Sequence, residues 1–206
     1  MQKTEPAAPF GALSGLFFLS GIAGLIYQVC WQRLLFAAFG SDLTSITIVV
    51  SAFMAGLGLG ALAGGMVADR YPARTLLLFT GCEGLIGIFG FSSPWLLRAA
   101  GDWFVGASTL VVALANFCLV LLPALMMGAT LPILVAYLAR LWSNVGRATG
   151  QLYAVNTLGA ALGAMLPAFV LFKYLNIDFV IYIAAGINLL VAALTFAVLR
   201  SRGEQA

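Results

Sequence analysis

Apolar residues run along this chain in six long blocks, roughly 12–39, 44–68, 75–97, 105–139, 148–172 and 178–199, separated by short polar clusters. Each block reaches the length of about 20 residues that an α-helix needs to cross a bilayer core. The polar breaks are brief: SD near 41, DRYPAR from 69, RAAGD from 98, RLWSNVGR from 140 and KYLNID from 173. Connections this short make successive helices antiparallel. The pattern predicts an all-α integral membrane protein, a single domain over 1–206 built from six transmembrane helices. The fourth block is long for one crossing, since 105–139 at about 1.5 Å per residue extends about 52 Å. Pro123 and Pro132 are expected to break or bend it.

Periodicity inside the blocks separates packing faces from the rest. In the second block Ala52, Gly56, Gly60 and Gly64 recur every fourth residue, so four small residues share one helix face and allow another backbone to come close. The fifth block repeats this with Gly159 and Gly163 on one face and Asn156, Ala160, Ala164 and Ala168 beside them. These are the second helices of two successive triplets. The correspondence points to two three-helix repeats, an arrangement found within many transporter halves.

Composition agrees with the pattern. Of 206 residues, 63% are apolar and 8% charged, and the mean hydropathy is +1.07; a water-exposed globule has far more charge. The ten basic residues orient the chain. With the N-terminus cytoplasmic, one side collects Lys3, Arg70, Arg74, Arg140, Arg147, Arg200 and Arg202, while the other has Arg98 and Lys173. Both termini are therefore expected in the cytoplasm. Cys30, Cys82 and Cys118 all sit in apolar runs and read as small packing residues rather than a disulfide framework. There is no histidine, so the usual metal ligand and proton shuttle are missing. No nucleophile, metal cluster or cofactor loop stands out, and neither an enzyme, a cofactor nor a nucleic-acid partner is expected.

The polar residues inside the blocks are the candidates for chemistry. Glu83 is the one acid within a span, about 12 Å in from the cytoplasmic end of the third helix. A charge at such depth costs at least about 2.5 kcal/mol, so it must face protein or water, be paired, or stay protonated. It is either a cation or proton site or a protonated carboxyl bridging two helices. Arg33 is a poor partner for it, because helical rise separates the two by roughly 10 Å along the bundle axis; snorkelling outward suits it better. Gln28 and Gln32 share a face with Ser20 and Gly24, and Tyr27 and Trp31 form an adjacent aromatic row. This stripe is expected to line a cavity or a helix seam. Asn116, Tyr153, Asn156, Thr157 and Asn188 are further polar groups on helices four to six. Helix-to-helix hydrogen bonds of about 0.6–2 kcal/mol each would account for them equally well.

Two short motifs resemble the major facilitator superfamily. The run from Gly65 through Asp69 and Arg70 to Arg74 resembles its cytoplasmic signature between helices two and three, with Pro72 where the signature has a second glycine. Asp69 can accept from helix N-terminal amides while Arg70 and Arg74 approach helix C-termini or lipid phosphates, contacts able to latch one conformational state; equally, the run is a positive-inside loop with one acid. Gly150, Gly159 and Gly163 match the glycine spacing of the fifth-helix motif, with Ala164 in place of its proline. The fourth-helix arginine of many proton-coupled members has no counterpart in 105–139. A closer resemblance covers most of the chain. SGIAGLIYQVCWQRLLFAAFGS, SAFMAGLGLGALAGGMVADR, LLPALMMGATLPIL and GQLYAVNTLGAALGAMLPAFVL, in this order, resemble the membrane domain of bacterial fused major-facilitator/spermidine synthase proteins.

That resemblance implies half of a major-facilitator fold in the bacterial inner membrane, without the aminopropyltransferase domain that follows in the family. It suggests a transporter-like module for a small cation such as a polyamine; the polar groups within the spans make Glu83, Tyr27, Gln28, Trp31, Gln32 and Asn156 the candidate binding residues. Two copies would complete a twelve-helix body, with the glycine seams of helices two and five facing the opposite half. Alternatively the chain is a non-transporting anchor or regulatory subunit, held to a membrane partner or a separate cytoplasmic aminopropyltransferase. Membrane lipid is a partner under either reading.

Overall fold

The computed structural model describes residues 7–39, 42–103, 107–141 and 144–203. Lys3, the turn at Ser41, the start of the fourth block at 105–106 and the loop residues Trp142 and Ser143 lie outside the described residues. Six helices account for nearly everything else: α1 Ala7–Phe39, α2 Asp42–Arg70, α3 Thr75–Trp103, α4 Thr109–Leu138, α5 Val145–Phe169 and α6 Ile177–Gly203. All six are long and apolar enough to cross a membrane, which makes this a multi-pass membrane protein.

Several helices run past the apolar blocks that announced them. α3 continues to Trp103 instead of ending near 97, so RAAGD is its last turn rather than a loop. α2 continues through Asp69 and Arg70, which leaves only Tyr71 and a single 3-10 turn, Pro72–Arg74, before α3. The reason is that a backbone leaving the hydrocarbon still satisfies its amides most simply by staying helical. α4 is one continuous helix with Pro123 and Pro132 inside it, so the prolines do not break it. α5 ends at Phe169 and gives way to a 3-10 turn at Leu171–Lys173. Two asparagines set helix starts: Asn144 accepts from the Arg147 amide and Asn176 from the Phe179 amide, both at 3.0 Å.

The helices pack chiefly in three pairs, α2 with α4, α1 with α5 and α3 with α6, with α3 also against α4 and α1 against α6. The small residues decide the first two. A methyl group added at Gly56, Gly60 or Gly64 would run into Ala124, Leu125 or Ala129 of α4, and one at Gly128 into Leu57. On the other pair, one at Gly159 or Gly163 would strike the carbonyls of Phe18 or Ile22 of α1, and one at Gly21 the Asn156 carbonyl. Because lipid is as apolar as leucine, helices associate in a bilayer through such close packing rather than through the hydrophobic effect. Both seams are thus filled within the chain. They are not the outward-facing surface expected to meet an opposite half.

The buried interior has two ends. One gathers Tyr27, Trp31, Leu35, Phe53, Ile86, Val120 and Ile181; the other gathers Leu13, Phe17, Phe79, Leu134, Leu138, Leu152 and Val191. Outside, Leu59, Leu62, Ile88, Trp95, Leu158 and Phe196 are exposed, as lipid-facing side chains should be. Cys30 is buried and Cys82 half-buried, while Cys118 is exposed on α4.

Candidate functional site

Glu83 is fully buried between α1, α3 and α6. The Ser20 hydroxyl donates to one carboxylate oxygen at 2.6 Å and the Asn188 amide to the other at 2.7 Å. No cation stands within ion-pair distance of it among the described residues. Both partners are reversible. A hydroxyl donates or accepts, and an amide turned over presents its carbonyl, so the same two neighbours suit a carboxylate or a protonated carboxyl. Among the described residues the Tyr27 hydroxyl and the Asn188 carbonyl, both buried, have no hydrogen-bond partner.

Ser20 has a second neighbour, a cavity of about 300 Å³. The wall comes from α1 (Ser20, Gln28), α2 (Phe53, Met54, Leu57), α4 (Met127, Thr130) and α5 (Tyr153, Asn156, Thr157). It holds apolar surface with a few polar groups and no charged side chain, the usual make-up of a small-molecule site. Asn156 is anchored at the wall by donating to the Phe17 carbonyl at 2.9 Å. The rim is open at Met54 and Tyr153, which are 57% and 62% exposed. The cavity therefore lies between the α1–α5 pair and the α2–α4 pair, with Glu83 one side chain behind it.

Of the residues named from sequence, Ser20, Gly24, Gln28, Tyr153, Asn156 and Thr157 line this cavity, and Glu83 reaches it through Ser20. Tyr27 and Trp31 do not line it. They are fully buried, stacked on each other at 5.0 Å, and Trp31 also meets Phe53 and Phe89 while donating to Ser93 at 2.9 Å. Gln32 is half-buried one turn beyond the wall. Asp69, Arg70 and Arg74 are exposed and unpaired among the described residues, and Gly65 lies within α2. Arg33 is remote from Glu83 and rests on Phe172. Thr130 and Met127 carry no distinguishing pattern in the sequence; the packing of α4 brings them to the wall. Among the described residues no group of three metal-ligating acids or cysteines is brought together.

Fold and site together define a six-helix membrane protein with a largely apolar cavity that carries a few polar groups and is backed by a buried carboxyl. Comparison with known proteins gives that class a context. The chain is 28% identical over 176 residues to polyamine aminopropyltransferase 2 of Streptomyces coelicolor, covering 81% of this chain and 30% of that protein. It is 30% identical over 183 residues to the polyamine aminopropyltransferase of Corynebacterium efficiens, covering 86% and 33% respectively. For the enzyme of the same name from Oceanobacillus iheyensis the identity is 22% over 188 residues, covering 90% and 35%. The chain thus spans about a third of the length of these curated relatives. No family model and no solved structure matches it.

Proposed function

We propose that this chain is a transporter-like membrane module of the major-facilitator type that binds a small organic cation of the polyamine class in the cavity behind which Glu83 lies. The observation that carries the reading is the double role of Ser20, which lines the cavity and donates to Glu83. A cation entering a neutral, partly apolar space needs a compensating charge, and the carboxyl one hydroxyl away supplies it. Gln28, Asn156, Thr157 and Tyr153 offer acceptors for ammonium groups along the wall. The names of the relatives supply the polyamine class.

The packing supports the two-repeat, half-facilitator fold. Exchanging α1, α2 and α3 with α4, α5 and α6 turns the α2–α4 pair into α5–α1 and leaves α3–α6 unchanged. Each glycine seam then sits on the second helix of one triplet and meets the first helix of the other. A second copy closing the open rim at Met54 and Tyr153 would complete a twelve-helix body in a bacterial inner membrane, with both termini cytoplasmic. In this reading the chain performs no catalysis itself. Uptake of radiolabelled spermidine into proteoliposomes, wild type against Glu83→Gln, tests it; equal uptake by both removes Glu83 from the mechanism.

A second reading rests on the relatives being about three times longer than the chain. There the bundle anchors or regulates an aminopropyltransferase carried elsewhere. Spermidine-independent co-purification with such an enzyme, without uptake, would favour it.

A further inference from the structure

Far from Glu83, the last turns of α1 and α3 meet the turn after α5 and the start of α6. They enclose a hollow of about 360 Å³ lined by Arg33, Arg98, Phe172, Asn176 and Asp178. Arg98 and Asp178 satisfy each other through two bonds of 3.0 and 2.6 Å. Arg33 is different. Its guanidinium carbon lies 4.3 Å from the centre of the Phe172 ring, and among the described residues no carboxylate and no hydrogen-bond acceptor meets it. Stacking holds the plane of a guanidinium while leaving the N–H donors at its edge available. Two arginines against one aspartate leave the hollow with one excess positive charge.

The surroundings indicate what supplies the matching negative charge. The hollow lies at the ends of four apolar spans, the level at which phospholipid headgroups sit. Beside it, α3 and α6 present an exposed aromatic patch in which Phe91 stacks on Tyr182 at 5.4 Å and Phe179 meets Tyr182 at 6.2 Å. Such a patch is a surface for acyl chains and glycerol, with the cation above it at phosphate height.

We propose that this hollow is a phosphate-binding site, with Arg33 as the fork that takes the oxyanion and Phe172 as the plate that holds the fork. The planar donors of an arginine fit two phosphate oxygens at once. Arg98 is neutralised by Asp178, so the excess charge that meets the oxyanion is that of Arg33. The phosphate is carried by a phospholipid headgroup or is free in solution, and the site is independent of what the Glu83 cavity binds.

Native mass spectrometry of the detergent-purified protein tests this with phosphatidylglycerol, phosphatidylcholine or inorganic phosphate added. The wild type should retain phosphatidylglycerol, and Arg33→Gln should lose about tenfold in occupancy, the effect of one bidentate charged contact. Arg33→Lys should fall between, because it keeps the charge without the fork. Phe172→Leu should weaken binding with no change in charge, and Arg140→Gln, at another exposed arginine, should match wild type. Displacement of the lipid by inorganic phosphate would identify a free anion as the ligand, and persistence of the lipid would identify the headgroup. Unchanged retention by Arg33→Gln, or an equal loss in Arg140→Gln, overturns the site.

Discussion

Ser20 on α1 and Glu83 on α3 are joined by a 2.6 Å hydrogen bond, and the serine is the only part of that pair that lines the cavity. A single hydroxyl thus stands between the intramembrane carboxyl and the space a solute would occupy. Removing it should act differently from removing the acid. Ser20→Ala opens a path from cavity to carboxyl and deletes one bond of about 0.6–2 kcal/mol. The expected result is a modest fall in melting temperature and a changed spermidine affinity in equilibrium binding, with Glu83→Gln abolishing the binding.

Glu83→Gln and Glu83→Leu should part company in stability. Glutamine still bonds Ser20 and Asn188, its amide nitrogen donating to the hydroxyl and its carbonyl accepting from the asparagine. Leucine leaves the buried Asn188 amide without its acceptor, a loss of about 1–3 kcal/mol, while Ser20 can still turn to the cavity it lines. Thermal unfolding in mild detergent should place the glutamine variant near wild type and the leucine variant clearly below it.

The α2–α4 seam predicts a contrast between neighbouring glycines. Gly60→Ala forces a methyl into the Leu125 backbone, whereas the same change at Gly58 meets open space. Overpacking of this kind costs about 1–3 kcal/mol, while the exposed change should gain some of the about 1 kcal/mol by which alanine exceeds glycine in a helix. Melting temperatures of the two variants should move in opposite directions.

Trp31→Phe keeps the aromatic stack with Tyr27 but removes the indole donor to Ser93. A loss of about 0.6–2 kcal/mol should follow, with spermidine uptake unchanged, because the ring does not line the cavity. Loss of uptake at wild-type stability would return Trp31 to the site.

Asp178→Asn should barely matter for stability. The Arg98 and Asp178 side chains are 52% and 30% exposed, and pairs this exposed contribute about 0.2–1 kcal/mol, less at high salt. A double-mutant cycle with Arg98→Gln, run at low and high salt, measures the coupling directly.

The six spans and the small-residue faces were legible because a bilayer fixes helix length and a four-residue repeat fixes a face. Which surface that face meets was not legible. Gly56, Gly60 and Gly64 announced a close approach, but only the fold shows that α4 of the same chain makes it. The same limit governs the site. Glu83 is conspicuous in sequence as the acid within a span, yet its partners lie 63 and 105 residues away on other helices. Gln28 and Gln32 share one face of α1, but the cavity is shorter than that face and takes only Gln28. Tyr27 and Trp31 carried the polar handles expected of a ligand site; large amphipathic rings also fill cores, and here they do.

The glycine seams have a mechanical consequence. Backbones that touch cannot slide without collision, so α1 with α5 and α2 with α4 behave as two stiff struts. Between them the contacts are long and pliable side chains, among them Met54 and Met127. Any change in the width of the cavity is therefore taken up at this methionine-lined joint, while Ser20, Gln28 and Asn156 travel together on one strut.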